Sequence, residues 1–398
     1  MLEPRDYLEK IQSLKKEYAE RITAGGSDRE TVDQNELNCI EFASANLRHL
    51  LPVVPVKHHA GIINEILLTQ ACAALDEDSC FLSETTEISD PASILPYARD
   101  KPVIFCTFHY GSYRLVNQVL ASHGLNYLLP VSSDIYATHK QRYEDNFETI
   151  KAYFKSASQL LVVNAEEPTA ALTMARKTRA GWSLLAYIDG NTGVQGASRR
   201  DAKLLRISLL GKPIYARKGI AFLSHFLKLP IVPVICEMIG SMERRMTFHD
   251  KIEPYDNREA REAYCRMATE KLYSVLGEYL KKTPSQWEGW MFLQKYLDMD
   301  ALSANHIADE QSATVTAVDE YAGSKLVFNH DRYGFIMQDD QQVLLDKSTY
   351  KLLTLPDNIS NLLESYREPM EVSSAGVSDK QRDMIEQLVS MDMLSVVS

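Results

Sequence analysis

Apolar and polar positions follow three textures along this chain. From residue 1 to about 95 the pattern is helical: Tyr7, Ile11, Leu14 and Tyr18 recur at helical spacing with Lys and Glu between them. Gly25-Gly26-Ser27-Asp28 breaks that run, with Ser27 or Asp28 placed to cap a following helix. Leu50-Leu51-Pro52-Val53-Val54-Pro55-Val56 then reads as a proline-punctuated connector. From 96 to about 300, short apolar runs at Val103–Phe105, Asn126–Val131, Gln159–Val163, Ser183–Ile188, Ile207–Leu210 and Ile231–Glu237 suit buried strands. Helical stretches such as Tyr143–Phe154, Thr169–Arg179 and Gly219–Leu227 lie between several of them. That alternation predicts an α/β domain with a mixed or largely parallel sheet flanked by helices. Residues 301–324 are small and polar, as a linker would be. In 325–398 the texture changes again: strands are expected at Lys325–Phe328, Tyr333–Ile336 and Gln342–Leu345, and helices at Asn358–Tyr366 and Asp379–Met391. This is a small α+β unit of winged-helix size.

Composition narrows the function. Of the formal charge of −11, about −9 falls in residues 301–398, which hold 16 acids against 7 Lys and Arg. An acidic terminal unit is a poor match for a polyanion, so no nucleic-acid partner is expected. No apolar run approaches the ~18 to 20 residues that span a bilayer, and the first residues lack a charged-then-apolar signal pattern. The expectation is therefore a soluble, cytoplasmic protein with at most peripheral membrane contact. The six cysteines show no C-x-x-C spacing, which argues against a disulfide framework or a structural zinc site; no metal is expected. Cys106 is read as a core thiol, and His58-His59 as a helix-start or surface pair rather than a ligand pair.

The chemistry concentrates where strands end. Val103–Phe105 runs into His109-Tyr110-Gly111-Ser112-Tyr113-Arg114, and Ser183–Ile188 runs into Asp189-Gly190-Asn191-Thr192-Gly193. The carboxyl ends of strands beside helix N-termini are where open α/β sheets present reactive groups. Together with Leu210-Gly211-Lys212-Pro213, Gly219-Ile220-Ala221-Phe222-Leu223, Leu229-Pro230-Ile231-Val232-Pro233-Val234 and Pro284-Ser285-Gln286-Trp287-Glu288-Gly289-Trp290, these blocks resemble, in order, the bacterial lipid A biosynthesis (late) acyltransferases over about residues 95–297.

The resemblance implies an α/β fold shared with the glycerolipid acyltransferases. It also implies transfer of an acyl group from a CoA or carrier-protein thioester, with no bound cofactor. It implies His109 as general base, with Gly111 allowing close backbone approach and Tyr110, Ser112 and Asn191 near the donor. Arg199, Arg200, Lys203, Arg206, Arg217 and Lys218 are candidates for the donor's phosphates. Trp287 and Trp290 are expected to pack.

The chain departs from the family at Arg114, which stands where the family has the acid that orients the histidine; Asp189 is the candidate replacement. A second departure is that a helical segment stands where the family has a membrane anchor. A soluble acceptor, a peptide or natural-product intermediate, is therefore expected at the hydroxyl or amine that receives the acyl group. The alternatives are a peripheral lysophospholipid or glycerolipid acyltransferase, or a catalytically silent peptide-binding protein. Gln342–Leu353 followed by Ile385–Leu394 resembles the small PqqD-like domains, which implies that residues 325–398 bind a peptide as an added strand.

Overall fold

The computed structural model describes residues 2–23, 34–190, 203–299, 301, 325–371 and 379–397. They fall into two compact units, one within residues 1–27 and 61–298, the other within 28–60 and 299–398. The chain is thus not divided at residue 95 as its texture implied. Helix α1 (Pro4–Thr23) and nearly all of α3 (His59–Glu77) belong to the first unit, whereas α2 (Gln34–Leu50) belongs to the second. The expected linker, apart from Ala301, lies outside the described residues.

The first unit is an α/β structure built on a seven-stranded sheet. Its strands are β1 (Glu87–Ser89), β2 (Ile104–Thr107), β3 (Tyr127–Val131), β4 (Leu160–Asn164), β5 (Ser183–Tyr187), β8 (Ile231–Met238) and β9 (Arg244–Phe248), in the order β1-β9-β8-β2-β5-β3-β4. All neighbours are parallel except β8 and β9. β2 is buried along its whole length, which explains why it reads as an unbroken apolar run: a central parallel strand is covered on both faces. Its core contains Phe105, Tyr127, Leu129, Val232 and Phe248, joined by Tyr7 and Ile11 of α1, Val116 and Leu120 of α6 (Leu115–Ser122) and Ile150 of α7 (Ser133–Phe154).

Three local differences from expectation have simple causes. Helix α7 starts ten residues before the expected Tyr143 because Ser132 caps it, accepting from the amide of Ile135. The run at 204–209 does not join the main sheet. It forms β6 (Leu204–Leu209), which among the described residues pairs only with β7 (Lys212–Arg217) across Leu210 and Gly211, both left-handed at φ +52° and +81°. That is the geometry of a two-residue hairpin turn. Strand β9 was hidden by its charges: Arg244 is an apolar-core position in all but chemistry.

Arg244 is tolerated there because Asp76, at the end of α3, meets it. The two side chains are 1% and 0% exposed, and Arg244 reaches both carboxylate oxygens of Asp76, at 2.8 and 3.1 Å. The same carboxylate accepts from the Tyr7 hydroxyl at 2.6 Å and from the Ser112 hydroxyl. All four groups are therefore mutually satisfied, the condition under which a buried ion pair is sustained.

The second unit carries small antiparallel sheets. β10 (Lys325–Phe328) lies between β14 (Met370–Glu371) and β15 (Leu394–Val397). β12 (Gln341–Asp346) lies between β11 (Tyr333–Gln338) and β13 (Leu352–Leu353). Helices α11 (Asp357–Ser365) and α12 (Asp379–Ser390) supply Leu363, Ile385 and Leu388 to its core. Helix α2 is stitched to β11 and β12. The Asn38 side-chain amide exchanges hydrogen bonds with both backbone groups of Met337, at 2.8 and 2.9 Å, and Glu41 pairs with buried Lys347 at 2.7 Å. Among the described residues, no helix is long and apolar enough to cross a membrane.

Asp76→Asn removes the charge that holds Arg244 in the core. It is expected to cost about 3 to 5 kcal/mol in urea unfolding, whereas Arg245→Ala, which breaks the exposed pair with Glu87, should leave the unfolding midpoint close to wild type.

Candidate functional site

The site is built by the register of two neighbouring strands. Along β2 and β5 every residue faces the one 80 positions later: Ile104 with Leu184, Cys106 with Ala186, Thr107 with Tyr187. The ladder runs on through a bond from the Ile188 amide to the Thr107 carbonyl. Two residues past the last pair, the same offset brings His109 to Asp189. The imidazole Nδ1 lies 2.8 Å from Oδ1, and the backbone amide of His109 donates to both carboxylate oxygens, at 3.1 and 3.0 Å.

A carboxylate only accepts hydrogen bonds, so neutral His109 carries its proton on Nδ1 and leaves the Nε2 lone pair open. Trp287 completes the clamp, its indole N–H donating to Oδ2 of Asp189 at 2.7 Å. The Asp189 side chain is 5% exposed and the imidazole 27%: the orienting acid is sealed and the ring is open to a ligand. Burial works against a charged ring, but the charge and hydrogen bond of Asp189 outweigh it and hold the His109 pKa above its ordinary 6.5. Burial likewise opposes a charged Asp189, and His109 and Trp287 keep it below the usual carboxylate value.

The turn that carries His109 is fixed by its backbone. Gly111 sits at φ +55°, and a Cβ there would fall 2.2 Å from the carbonyl oxygen of Cys236. The amides of Gly111 and Ser112 donate to the carbonyls of Gln286 and Cys236. Gln286 in turn binds the backbone of Met238 with both ends of its side-chain amide, each at 2.8 Å. The Pro284–Trp290 segment thus straps the turn to the end of β8.

Several expected contacts take other roles. Tyr110 and Ser112 are fully buried, with their hydroxyls bonded to the Thr283 carbonyl and to Asp76; they present no side-chain surface to a donor. Arg114 does not touch the imidazole. It binds Glu77, which also accepts from Arg142 and Asn146, and its guanidinium lies over the Tyr113 ring.

Arg206 and Lys218 are engaged by Asp298 and Glu262, at 2.6 and 2.7 Å, rather than held ready for phosphates. The Lys203 carbonyl accepts from the Lys218 amide. Arg217 lines a small, mostly apolar niche beside Asp189 with Ile188, Ile214, Ala216, Phe292 and Leu293, with about 30 Å³ of internal space. Asn191, Arg199 and Arg200 lie outside the described residues.

Cys106 is fully buried and its thiol pushed up by burial, in keeping with a core position. His58 ends a short turn and His59 opens α3. Among the described residues, no group of three or more His, Cys, Asp or Glu is arranged to hold a metal ion.

What the sequence reading missed is the wall around the ring. Tyr113 and Tyr187 flank the imidazole with centroids at 4.8 and 5.5 Å, and Glu288 donates its amide to the His109 carbonyl at 3.0 Å. Comparison with models of known protein families and with curated proteins finds no match for this chain.

Two outcomes test the site. In NMR titration the imidazole of His109 should titrate above pH 6.5, and Asp189→Asn should lower that pKa, because the charge favouring the protonated ring is lost while burial remains. Gly111→Ala should reduce unfolding free energy by at least about 1 kcal/mol from the left-handed backbone alone, before the clash with Cys236 is counted.

Proposed function

We propose that this chain is an acyltransferase that moves an acyl group from a CoA or carrier-protein thioester to a hydroxyl or amine, with His109 as general base. The observation that carries this reading is the Asp189–His109 pair at the ends of adjacent parallel strands, with Asp189 sealed under Trp287. A base of this kind takes a proton from the nucleophile as it attacks the thioester carbonyl, then returns it to the departing thiolate. Asp189 fixes the tautomer and stabilises the imidazolium. It does so in place of the acid that Arg114 displaces from the motif.

The apolar side chains beside Asp189, with Arg217 among them, mark the side from which the donor is proposed to approach. The developing oxyanion calls for a donor or cation, and Arg114 is already committed to Glu77. The amides of Gly111 and Ser112 are already spent on carbonyls, so they do not serve that purpose. The order of motif blocks supports a lipid-A-acyltransferase-like core, and the motifs of 325–398 support a PqqD-like unit that holds a peptide acceptor. β15 pairs only with β10 among the described residues, and Val396 and Val397 are exposed on it; a strand added at that edge is the mode of binding proposed.

Release of free thiol from a panel of acyl-CoAs and acyl-carrier proteins tests the reading. His109→Ala should lower release by ~10²- to 10⁴-fold while circular dichroism and the unfolding midpoint stay near wild type. Equal release by both proteins would remove His109 from the chemistry.

A further inference from the structure

A chain of hydrogen bonds runs from the core to the imidazole, and its direction is fixed. Asn117 of α6 donates its side-chain amide to the backbone carbonyl of Arg114 at 3.3 Å. A carbonyl can only accept, so the NH2 end of the Asn117 amide faces that way and its oxygen faces the other. The same NH2 donates to the Tyr187 hydroxyl at 2.9 Å, and the amide oxygen accepts from the Tyr127 hydroxyl at 3.0 Å. Tyr127 is fully buried at the start of β3. Every donor in the chain therefore points towards the end of β5. Tyr187, the last member, receives a hydrogen bond on its oxygen, and among the described residues no acceptor meets its own proton.

Tyr187 ends β5 opposite Thr107, two residues before Asp189. Its ring centre stands 5.5 Å from that of the imidazole, the planes tilted by 38°. The side chain is half-buried, and burial raises its pKa, so the phenol keeps its proton at neutral pH. Tyr113, the other ring beside the imidazole, is buried with the Arg114 guanidinium over it and takes a hydrogen bond from Arg114 Nε. Hydrogen bonds aligned head to tail polarise one another, which makes the last donor of such a chain the strongest. The groups that could otherwise meet an oxyanion here are spent: the amides of Gly111 and Ser112 on carbonyls, and Arg114 on Glu77.

We propose that Tyr187 is a catalytic residue whose hydroxyl donates to the oxyanion formed on the thioester carbonyl, with Asn117 aiming it. This rests on the acyl-transfer reading above. The acceptor's nucleophilic atom forms its bond to the carbonyl carbon while Nε2 of His109 takes its proton, and the π pair of the carbonyl moves onto oxygen. Tyr187 meets that oxygen with a hydrogen bond and keeps its proton throughout. Collapse restores the C=O bond and breaks the C–S bond, and the sulfur leaves with the proton held by His109. The products are the acylated acceptor and the free thiol. Because the bond strengthens only as charge develops on oxygen, the phenol lowers the barrier rather than tightening the ground state.

The test uses the full chain and the acyl-CoA with the strongest His109-dependent thiol release. Tyr187→Phe keeps the ring against the imidazole and removes only the hydroxyl. It should lower kcat ~10²- to 10³-fold, the loss expected for one oxyanion donor, with the donor KM near wild type and the His109 titration by NMR unmoved. A ring-fluorinated tyrosine at position 187 keeps the hydroxyl as a stronger donor and should retain at least the wild-type kcat. That second variant decides the matter even if Tyr187→Phe folds poorly, because a fall in its kcat overturns the proposal. An unchanged kcat in folded Tyr187→Phe overturns it too, as does a loss confined to KM or accompanied by a displaced His109 titration. Each of these results leaves acyl transfer standing. Absence of His109-dependent release from every donor overturns acyl transfer and this assignment with it.

Discussion

The parallel pairing of β2 with β5 is the constraint from which the site follows. A strand ladder fixes its partners two residues at a time, and a slip of one residue turns every side chain to the opposite face. The offset of 80 positions that seats Phe105 against Leu185 in the core also seats His109 against Asp189 beyond the last ladder rung. Core packing and site geometry are therefore set by one choice of register. The apolar residues of β2 and β5 hold that register far more firmly than the hydrogen bonds between imidazole and carboxylate could alone.

The first unit handles its buried carboxylates by a consistent rule. Asp76 is met by Arg244, Glu77 by Arg114 and Arg142, and Asp189 by the His109 backbone, its ring and an indole. Each is satisfied before any ligand arrives, so their arrangement is preorganised and costs nothing to assemble during a reaction. The strap from Pro284 to Trp290 is what brings these features together: Gln286 ties the turn, Trp287 seals the acid, and Glu288 lies against the base.

How much of this the sequence made legible depended on distance along the chain. Strand-sized apolar runs are local signals, and those at β2, β3, β4, β5 and β8 match the strands within one or two residues. The ends of β2 and β5 also pointed to His109 and Asp189, because their chemistry falls where parallel strands stop. Strand β9 was concealed since Arg244 reads as surface until its partner, 168 residues earlier, is known. Motif adjacency places Tyr110 and Ser112 near the donor but cannot tell which side chain turns inward, and both are buried. The grouping of α2 with the second unit was equally hidden: Glu41 and Lys347 are each ordinary surface residues in sequence and become a buried pair only in three dimensions.

The Asp76 cluster has a bearing on how the molecule is made. Its members are drawn from α1, α3, the turn after β2 and β9, and the Tyr7–Arg244 contact closes 237 residues of chain. During synthesis the aspartate, the tyrosine and the serine emerge long before the guanidinium that neutralises them. Until Arg244 has left the ribosome, the carboxylate must stay hydrated, and α3 cannot settle against the sheet without burying an uncompensated charge. Closure of the central layer is thereby deferred until β8 and β9 are available to pair. Contacts of such long sequence separation form slowly, and the exposed edge of β2 in the interval is the kind of surface that chaperones shield.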